Sequence, residues 1–463
     1  MSLRSACKAS KTGTAATLMP CALTIAGSDP SGGAGIQGDL KTFASLKVYG
    51  VSTLTALTIQ NTIGVKEIVN IPTEVVRKQV DVVVEDIGVD AAKTGMLYTA
   101  GIVKVVAEEI EEHGFPLVVD PVLVSTTGTP LLKPEAIETL VRFLLPLATI
   151  VTPNAPEASV LAHLQVTSLK DVRKAAERIA AYGPKAVVVK GGHISHDRAV
   201  DILYVNGEFK ELEAEWVDTK TSHGAGCCFS AAITAQLAKG MDVFEAVEVA
   251  KVFVTRALKH GLLLGKGNSP VNPMAHLYQE SEKWFVVQNI RKALRILESH
   301  PTVTKLIPEV QSNLVMAPNY TVDYLEFAGV PGRIVRLREG VKASADPEFG
   351  VSTHVASTLA VAITFNPEIR AGMNIRYTDQ ILSICKELGY TTSSYDRGLE
   401  PEDVKKAEGA STHWGAKQAI RRLGKVPDII YHEGDWGKEP LITVLGRTAV
   451  DVVDKVLRIA EKL

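Results

Sequence analysis

The chain has 463 residues, with 50 basic and 52 acidic side chains and a hydrophobic fraction of 46%. That length exceeds what one ordinary core supports, so two domains are expected. The balanced charge speaks against a nucleic-acid binder driven by bulk electrostatics, and no apolar run approaches the roughly 20 residues that span a bilayer. Neither nucleic acid nor membrane is an expected partner. Five cysteines scattered along the chain do not make a disulfide framework and fit a reducing, cytoplasmic setting. Residues 1–20 are rich in Ser, Thr, Ala and Lys without a continuous apolar core. They read as a disordered extension rather than a secretory leader.

From residue 21 strands and helices alternate. Strands are predicted over 21–26, 51–60, 91–96, 116–122, 149–152 and 186–190. Helices are predicted over 32–48, 73–87, 99–113, 134–145, 155–164 and 169–182. Apolar strands separated by helices predict an α/β domain with a mostly parallel sheet covered on both faces. Residues 201–217 alternate around Asn206-Gly207 and predict an antiparallel hairpin. Helices over 225–239 and 243–263 finish the domain, and Gly/Pro-rich turn chemistry at 265–273 ends it. A new helix is predicted over 284–298. Beyond it come strands at 322–327, 333–337, 429–432 and 441–445, and helices at 355–363, 378–388, 401–408 and 448–463. This half does not repeat the first, so a separate, smaller α/β or α+β domain is expected.

The most informative stretch is Thr219-Lys-Thr-Ser-His-Gly-Ala-Gly-Cys-Cys228. A polar, glycine-bearing run feeds an apolar helix and leaves backbone N–H groups free at a positive dipole end, an anion cradle. Cys227 falls where that helix begins, so its thiolate is expected to be stabilised there. Cys228 reads as packing in the first buried turn. The Gly27–Gly35 turn follows the first strand and lets a ligand approach the backbone. Asp120, Asn154 with Glu157, and Lys190 all fall at strand ends. Carboxylates there suit Mg²⁺ through water, and a lysine suits phosphate. Asn154 reads equally well as a helix N-cap.

Six motifs occur in order: Ala26–Gln37, Gln60-Asn61, Lys93–Met96, Asn154-x-x-Glu157, Lys190–His193 and His223–Cys227. Together they resemble the hydroxymethylpyrimidine/phosphomethylpyrimidine kinases of thiamine biosynthesis, which have a ribokinase-like fold, over residues 21–272. The resemblance implies two successive phosphorylations with ATP and Mg²⁺, and a homodimer through the kinase domain. It implies that Gln60 hydrogen-bonds the aminopyrimidine edge and that Gly27, Asp39, Met96 and Val122 line the same pocket. Asp120 and Glu157 would hold the metal, Lys190 and Thr221 would contact ATP phosphates, and Gly224, Ala225 and Gly226 would form the anion hole. Cys227 would stand where most ribokinase-like enzymes carry an aspartate as general base. Ala225 and Cys228 depart from the threonines common in the family. Pyridoxal kinases share the scaffold and are the competing reading.

In the second half, Arg333, Arg336 and Arg338 surround a predicted strand, with Arg333 on the opposite face from the other two. His354 begins a helix, and a glycine-rich loop at 431–440 precedes Gly446-Arg447. Such arginines and loops suit phosphate or pyrophosphate. The order Arg333, Gly350-x-Ser-x-His354, Asp396-Arg397, Glu400-Pro401, 427–440 and Gly446-Arg447 resembles a thiamine-phosphate synthase domain over 284–463. The resemblance implies coupling of the pyrimidine diphosphate to thiazole phosphate, with Arg333 and His354 as the catalytic residues. A ligand-sensing domain without catalysis is the alternative. A regulator of that kind would carry a DNA-binding helix-turn-helix, and the sequence shows none.

Overall fold

The computed structural model describes residues 19–125, 127–192, 198–401, 404, 410–435 and 437–463. The first eighteen residues, His193 of the Lys190–His193 motif and most of the helix predicted over 401–408 lie outside them. The chain divides into two compact units, Met1–Leu277 and Tyr278–Leu463.

Among the described residues of the first unit, nine strands form one sheet. They are β1 (Cys21–Ser28), β2 (Tyr49–Gln60), β3 (Val65–Asn70), β4 (Ala91–Thr94), β5 (Leu117–Val119), β6 (Ile150–Val151), β7 (Ala186–Val189), β8 (Arg198–Val205) and β9 (Glu208–Glu215), in the order β3-β2-β1-β4-β5-β6-β7-β8-β9. From β2 through β7 every pairing is parallel, so the carboxyl ends of these strands share one edge. Alternation along each strand sends its side chains to two different cores. Leu23, Ile25, Val119, Val151, Val187 and Val189 pack against helices Ala100–His113 and Leu169–Ala180. Ala22, Val118, Ile150, Ala186 and Val188 pack against Phe43, Phe229, Ile233 and Phe253. Both faces are thus dry, which is why the strands read as unbroken apolar runs.

The hairpin forms as expected. Asn206 and Gly207 both take positive φ (50° and 91°) between β8 and β9, the two-residue turn that suits strand twist. Two differences stand out. One is β3, absent from the predicted elements, an antiparallel edge strand whose Lys66 and Glu67 are exposed, charge of the kind that protects an edge. The helix predicted over 134–145 stops as an α-helix at Thr139 and continues as a wider turn and then a 3₁₀ turn at Leu145–Leu147. Pro146 has no N–H to continue the ladder.

The helix Ala275–Glu298 starts earlier than the predicted 284, and from Tyr278 on it belongs to the second unit. A seven-stranded mixed sheet follows, in the order β14-β11-β10-β15-β18-β17-β16. Its strands are β10 (Leu314–Met316), β11 (Ala328–Gly329), β14 (Glu348–Phe349), β15 (Ala371–Arg376), β16 (Thr392–Ser394), β17 (Ile429–His432) and β18 (Leu441–Gly446). β12 (Ile334–Arg336) and β13 (Val341–Ala343) form a separate ribbon. One face packs on Ala275–Glu298 and Ala449–Glu461, the other on His354–Phe365 and Ala410–Leu423. The expected strand at 322–327 is instead a 3₁₀ turn capped by Asp323, whose carboxylate accepts from Leu325 N–H. The central strands β10 and β15 went unread, because three residues, or a run such as Ala-Gly-Met-Asn-Ile-Arg, carry little strand signal on their own.

Candidate active site

In the first unit the residues predicted for chemistry collect at the carboxyl edge of the parallel strands. Two glycine-bearing turns meet there. Gly224 has φ 80°, and a Cβ on it would lie 1.9 Å from the Gly33 carbonyl oxygen, so only glycine allows the 27–35 turn and the 219–226 loop to touch. Helix Ala225–Ala238 begins at Gly224, which offers no side-chain cap. The N–H groups of its first turn therefore remain available, and the dipole adds positive potential. A Cβ on Gly226 would lie 3.2 Å from Lys190 Nζ and 4.0 Å from Asp120 Oδ2, which puts loop, lysine and carboxylate within one ligand's reach. Thr221 is buried, and its hydroxyl lies 2.6 Å from that of Thr219. Ala225 N–H is turned back to the Ser222 carbonyl.

Asp120 follows β5 and is nearly buried. Lys190 Nζ lies 3.4 Å from its Oδ1, Thr152 donates to the same oxygen (3.3 Å), and Ser230 donates to Oδ2 (3.0 Å). Glu157 closes a reciprocal capping box with Asn154, at 2.8 Å in each direction, so the N-cap reading of Asn154 holds. Burial lifts the Glu157 carboxyl to about 7; Lys190 opposes the rise and Asp120 adds to it. Two buried carboxylates beside a lysine make an oxygen donor set suited to a hard cation held through water.

Below the loop lies a buried ion pair. Lys93 Nζ and Asp39 Oδ1 are 2.9 Å apart with both side chains fully buried, and Thr24 donates to Asp39 Oδ2 at 2.7 Å. Burial opposes both charges. It leaves the Asp39 carboxyl above its usual range, whereas the charges of Asp39, Cys227 and Asp120 outweigh it at Lys93, which sits above the ordinary lysine value. The lysine's direction decides the site: a fixed positive charge under the loop. Within the Lys93–Met96 motif, the sequence signal for this role is a lysine inside a strand that is otherwise apolar or small and fully buried.

The expected stabilisation of the Cys227 thiolate is not found. Burial pushes the thiol up to about 12, with Lys93 opposing and Asp39 and Asp120 adding to the rise. The residue keeps some accessible surface, but its sulfur is packed among these groups, and desolvation there exceeds what one helix terminus supplies. The resting enzyme therefore holds a neutral thiol. Cys228 is buried against the core as expected, with its thiol also raised to about 12.

On the other side of the loop, Gln60 ends β2, and its Nε2 lies 3.5 Å from His223 Nε2. His223 in turn lies 2.8 Å from Asp29 Oδ2. Burial raises Asp29, yet hydrogen bonds and charge from His223 and Ser31 outweigh it and hold the carboxyl at about 2. A small cleft is bordered by Gln60, Asn61, Gly64, Thr127, His223 and Asn268. Met96 Sδ lies 3.1 Å from where a Cβ on Gly27 would be, so these two walls adjoin. Val122 is half-buried just past Asp120 and donates its N–H back to the Asp120 carbonyl. Asp29 and His223 had drawn no separate reading, because only folding joins residues 194 apart in sequence.

In the second unit, Arg333 takes a left-handed φ of 79° just before β12 and is half-buried. Its backbone geometry breaks the strand alternation that was to place it opposite Arg336 and Arg338. No hydrogen bond or ion pair joins it to His354 among the described residues. His354 is exposed at the first turn of helix His354–Phe365, and the group placed near it is His432 at the end of β17. Gly434 N–H donates to His432 Nδ1 (3.2 Å), and the ring lies 5.2 Å from that of Tyr395. Burial lowers His432 to about 4, and the charges of Arg397, His354 and Lys438 lower it further. It is a neutral imidazole with its proton on Nε2. Arg397 is 6% exposed, and Arg397 Nε and Glu400 Oε1 have no hydrogen-bond partner. His432 carried no signal in sequence beyond its place in the 431–440 loop.

The parallel sheet, the anion cradle at its carboxyl edge and the lysine and carboxylate beside it define a ribokinase-like phosphotransferase unit, followed by a smaller α/β unit. Residues 29–272 match the phosphomethylpyrimidine kinase family, and residues 289–458 match the thiamine-phosphate synthase ThiN family. The hydroxymethylpyrimidine/phosphomethylpyrimidine kinase of Bacillus subtilis is 45% identical over 256 residues, covering 55% of this chain and 94% of that protein. The bifunctional thiamine biosynthesis protein ThiDN of Methanocaldococcus jannaschii is 35% identical over 436 residues, covering 94% of this chain and 97% of that one. A pyridoxal kinase of Bacillus subtilis solved with ADP is 44% identical with a TM-score of 0.52, covering 55% of this chain and 97% of that one. The chain belongs to the family of fused phosphomethylpyrimidine kinase and ThiN-type thiamine-phosphate synthase proteins.

Proposed function

We propose that the first unit, taken as residues 21–272, phosphorylates 4-amino-5-hydroxymethyl-2-methylpyrimidine and then its monophosphate from ATP. The second, taken as 284–463, joins the resulting diphosphate to thiazole phosphate, giving thiamine phosphate and pyrophosphate. The observation that carries this reading is the similarity to a bifunctional thiamine biosynthesis protein along nearly the whole chain. The test is to incubate the purified chain with hydroxymethylpyrimidine, thiazole phosphate and Mg-ATP and to look for thiamine phosphate. Its absence, with both substrates unconsumed, rejects the reading.

In the kinase unit, Gln60 would read the aminopyrimidine edge, with Gly27, Met96 and Val122 walling the ring. Asp39 is fully buried and would act through Lys93. The substrate hydroxyl attacks the γ-phosphorus as its bond to the ADP oxygen breaks. Lys190, Lys93 and the N–H groups of Gly224 and Gly226 would carry the charge that develops, while Ala225, its N–H donated to the Ser222 carbonyl, would only shape the loop; Thr221 would hold the ATP phosphates. Most of the rate enhancement in such a loose transfer comes from positioning and charge. Asp120 and Glu157 would hold Mg²⁺, which when bound shields the phosphate charge. Cys227 would receive the hydroxyl proton in its thiolate form, having first released its own proton to solvent.

Glu157 near 7 makes the metal requirement depend on pH. Below 7 its proton must leave for each cation bound, so the Mg²⁺ concentration giving half-maximal kinase rate is expected to rise about fivefold from pH 7 to pH 6, approaching tenfold per unit below that. In Glu157→Gln that slope should vanish; an unchanged slope would remove Glu157 from the metal site. The folded state binds a proton that the unfolded chain lacks between the ordinary 4.5 and about 7. This group's contribution to stability is therefore present below 4.5 and lost as pH rises through that window.

In the synthase unit, Arg333 would bind a substrate phosphate and His354 would assist the departure of pyrophosphate. Alanine at either position is expected to lower thiamine phosphate formation by at least about a hundredfold while the kinase rate stays unchanged. A normal coupling rate in either variant would reject that assignment. The solved pyridoxal kinases favour a second reading of the kinase site. Comparing kcat/KM for hydroxymethylpyrimidine and pyridoxal decides which substrate it prefers. The kinase unit is also proposed to form a homodimer, which sedimentation of the full chain would detect.

A further inference from the structure

The second unit holds a cavity of about 690 Å³. Lys305, Arg336, Arg338 and Arg376 border it, with Thr378 and Gln380 from the start of helix Asp379–Glu387. Three separate segments supply the four cations: the 3₁₀ turn Pro301–Leu306, the β12–β13 ribbon and the end of β15. None of them has an ion-pair partner among the described residues. Other basic side chains of the unit do pair, such as Arg291 with Asp346, Lys342 with Glu298, Lys455 with Asp428 and Arg447 with Glu368.

Four like charges facing one space repel, and a bound polyanion relieves that repulsion. The helix terminus adds to the positive potential. Asp379 accepts a hydrogen bond from Tyr377 and does not border the cavity, whose lining is completed by Leu337, Ile381 and the last residue, Leu463. No aromatic ring borders the cavity either, so it has no platform on which a base could stack. Guanidinium groups from two directions match the paired oxygens of linked phosphates better than a single phosphate.

We propose that this cavity is a binding site for a diphosphate group, held by Arg336, Arg338, Arg376 and Lys305. Only the source of the diphosphate rests on the synthase reading: it arrives on the pyrimidine or as free pyrophosphate. The site lies next in sequence to Arg333, so a substrate diphosphate held by the ribbon would place that arginine close by.

The test is calorimetric titration of inorganic pyrophosphate and of inorganic phosphate into the full chain at physiological salt (~0.15 M). Wild type is compared with Arg336→Gln/Arg376→Gln. The double variant removes two exposed charges outside both proposed catalytic sets, and a circular-dichroism spectrum and thermal unfolding profile equal to those of wild type verify its fold. Pyrophosphate is expected to bind more tightly than phosphate, and the variant to lose one binding event or weaken it at least about tenfold. In the coupling assay, a raised KM for the pyrimidine diphosphate at constant kcat assigns the group to the substrate. An unchanged KM with lost pyrophosphate binding assigns it to the free ion. Identical pyrophosphate isotherms for wild type and variant overturn the proposal. A wild type that makes no thiamine phosphate rejects the synthase reading instead, and the isotherms still decide the cavity.

Discussion

Replacing Cys227 by alanine is expected to lower the kinase kcat by about 10²- to 10⁴-fold, the range for removal of a proton acceptor, with ATP binding little changed. The thiol lies between the anion loop and the Lys93–Asp39 pair, and at about 12 it is protonated in the resting enzyme. A protonated thiol accepts nothing, so the wild-type rate should rise with pH across the neutral and alkaline range as the thiolate fraction grows. That rise should be absent in Cys227→Ala and flattened in Cys227→Ser. Steady-state kinetics from pH 6 to pH 10 decide the matter. An alanine variant with near-normal kcat would show that positioning and charge alone perform the transfer. The alanine variant should still fold, because the residue sits in the first turn of its helix and is not part of the deep core.

Lys93→Met is expected to destabilise the first unit by about 3–5 kcal/mol, the usual consequence of stripping one partner from a buried ion pair. Methionine matches the lysine's length and leaves little cavity, so the loss falls on Asp39. That carboxylate would keep only the Thr24 hydroxyl and would bind a proton to avoid a lone buried charge. Chemical denaturation should therefore show a smaller penalty at pH 5 than at pH 8. The double variant Lys93→Met/Asp39→Asn should recover part of the stability without recovering activity, since the positive charge beneath the loop is gone. If the single variant unfolds like wild type at both pH values, the pair does not support the site.

Much of the first unit was legible in the chain. Apolar strands such as Leu117–Val119 and Ala186–Val189 announce a sheet buried on both faces. Residues that end parallel strands must meet at one edge, so Asp120, Glu157 and Lys190 converge as anticipated. The glycine-bearing run before Cys227 announced an anion cradle at a helix start, and the structure adds that Gly224 lets that loop touch the 27–35 turn. The second unit was less legible. Its central strands are short or weakly patterned, and its histidines meet only through the order β15-β18-β17.

Sequence by itself determined the alternation of elements, the edge at which ligands bind and the membership of both units, because these follow from local periodicity and motif order. Only the tertiary structure decided the charge states. Burying Cys227 beside Asp39 and Asp120 turned an expected thiolate into a thiol, and burying Glu157 beside Asp120 moved a carboxylate to about 7. Desolvation and through-space charge depend on what surrounds an atom, and that neighbourhood comes from residues far apart in the chain. The same holds for Lys305 and Arg376: each is an ordinary surface cation in the sequence, and only the fold brings them to the cavity that Arg336 and Arg338 also border.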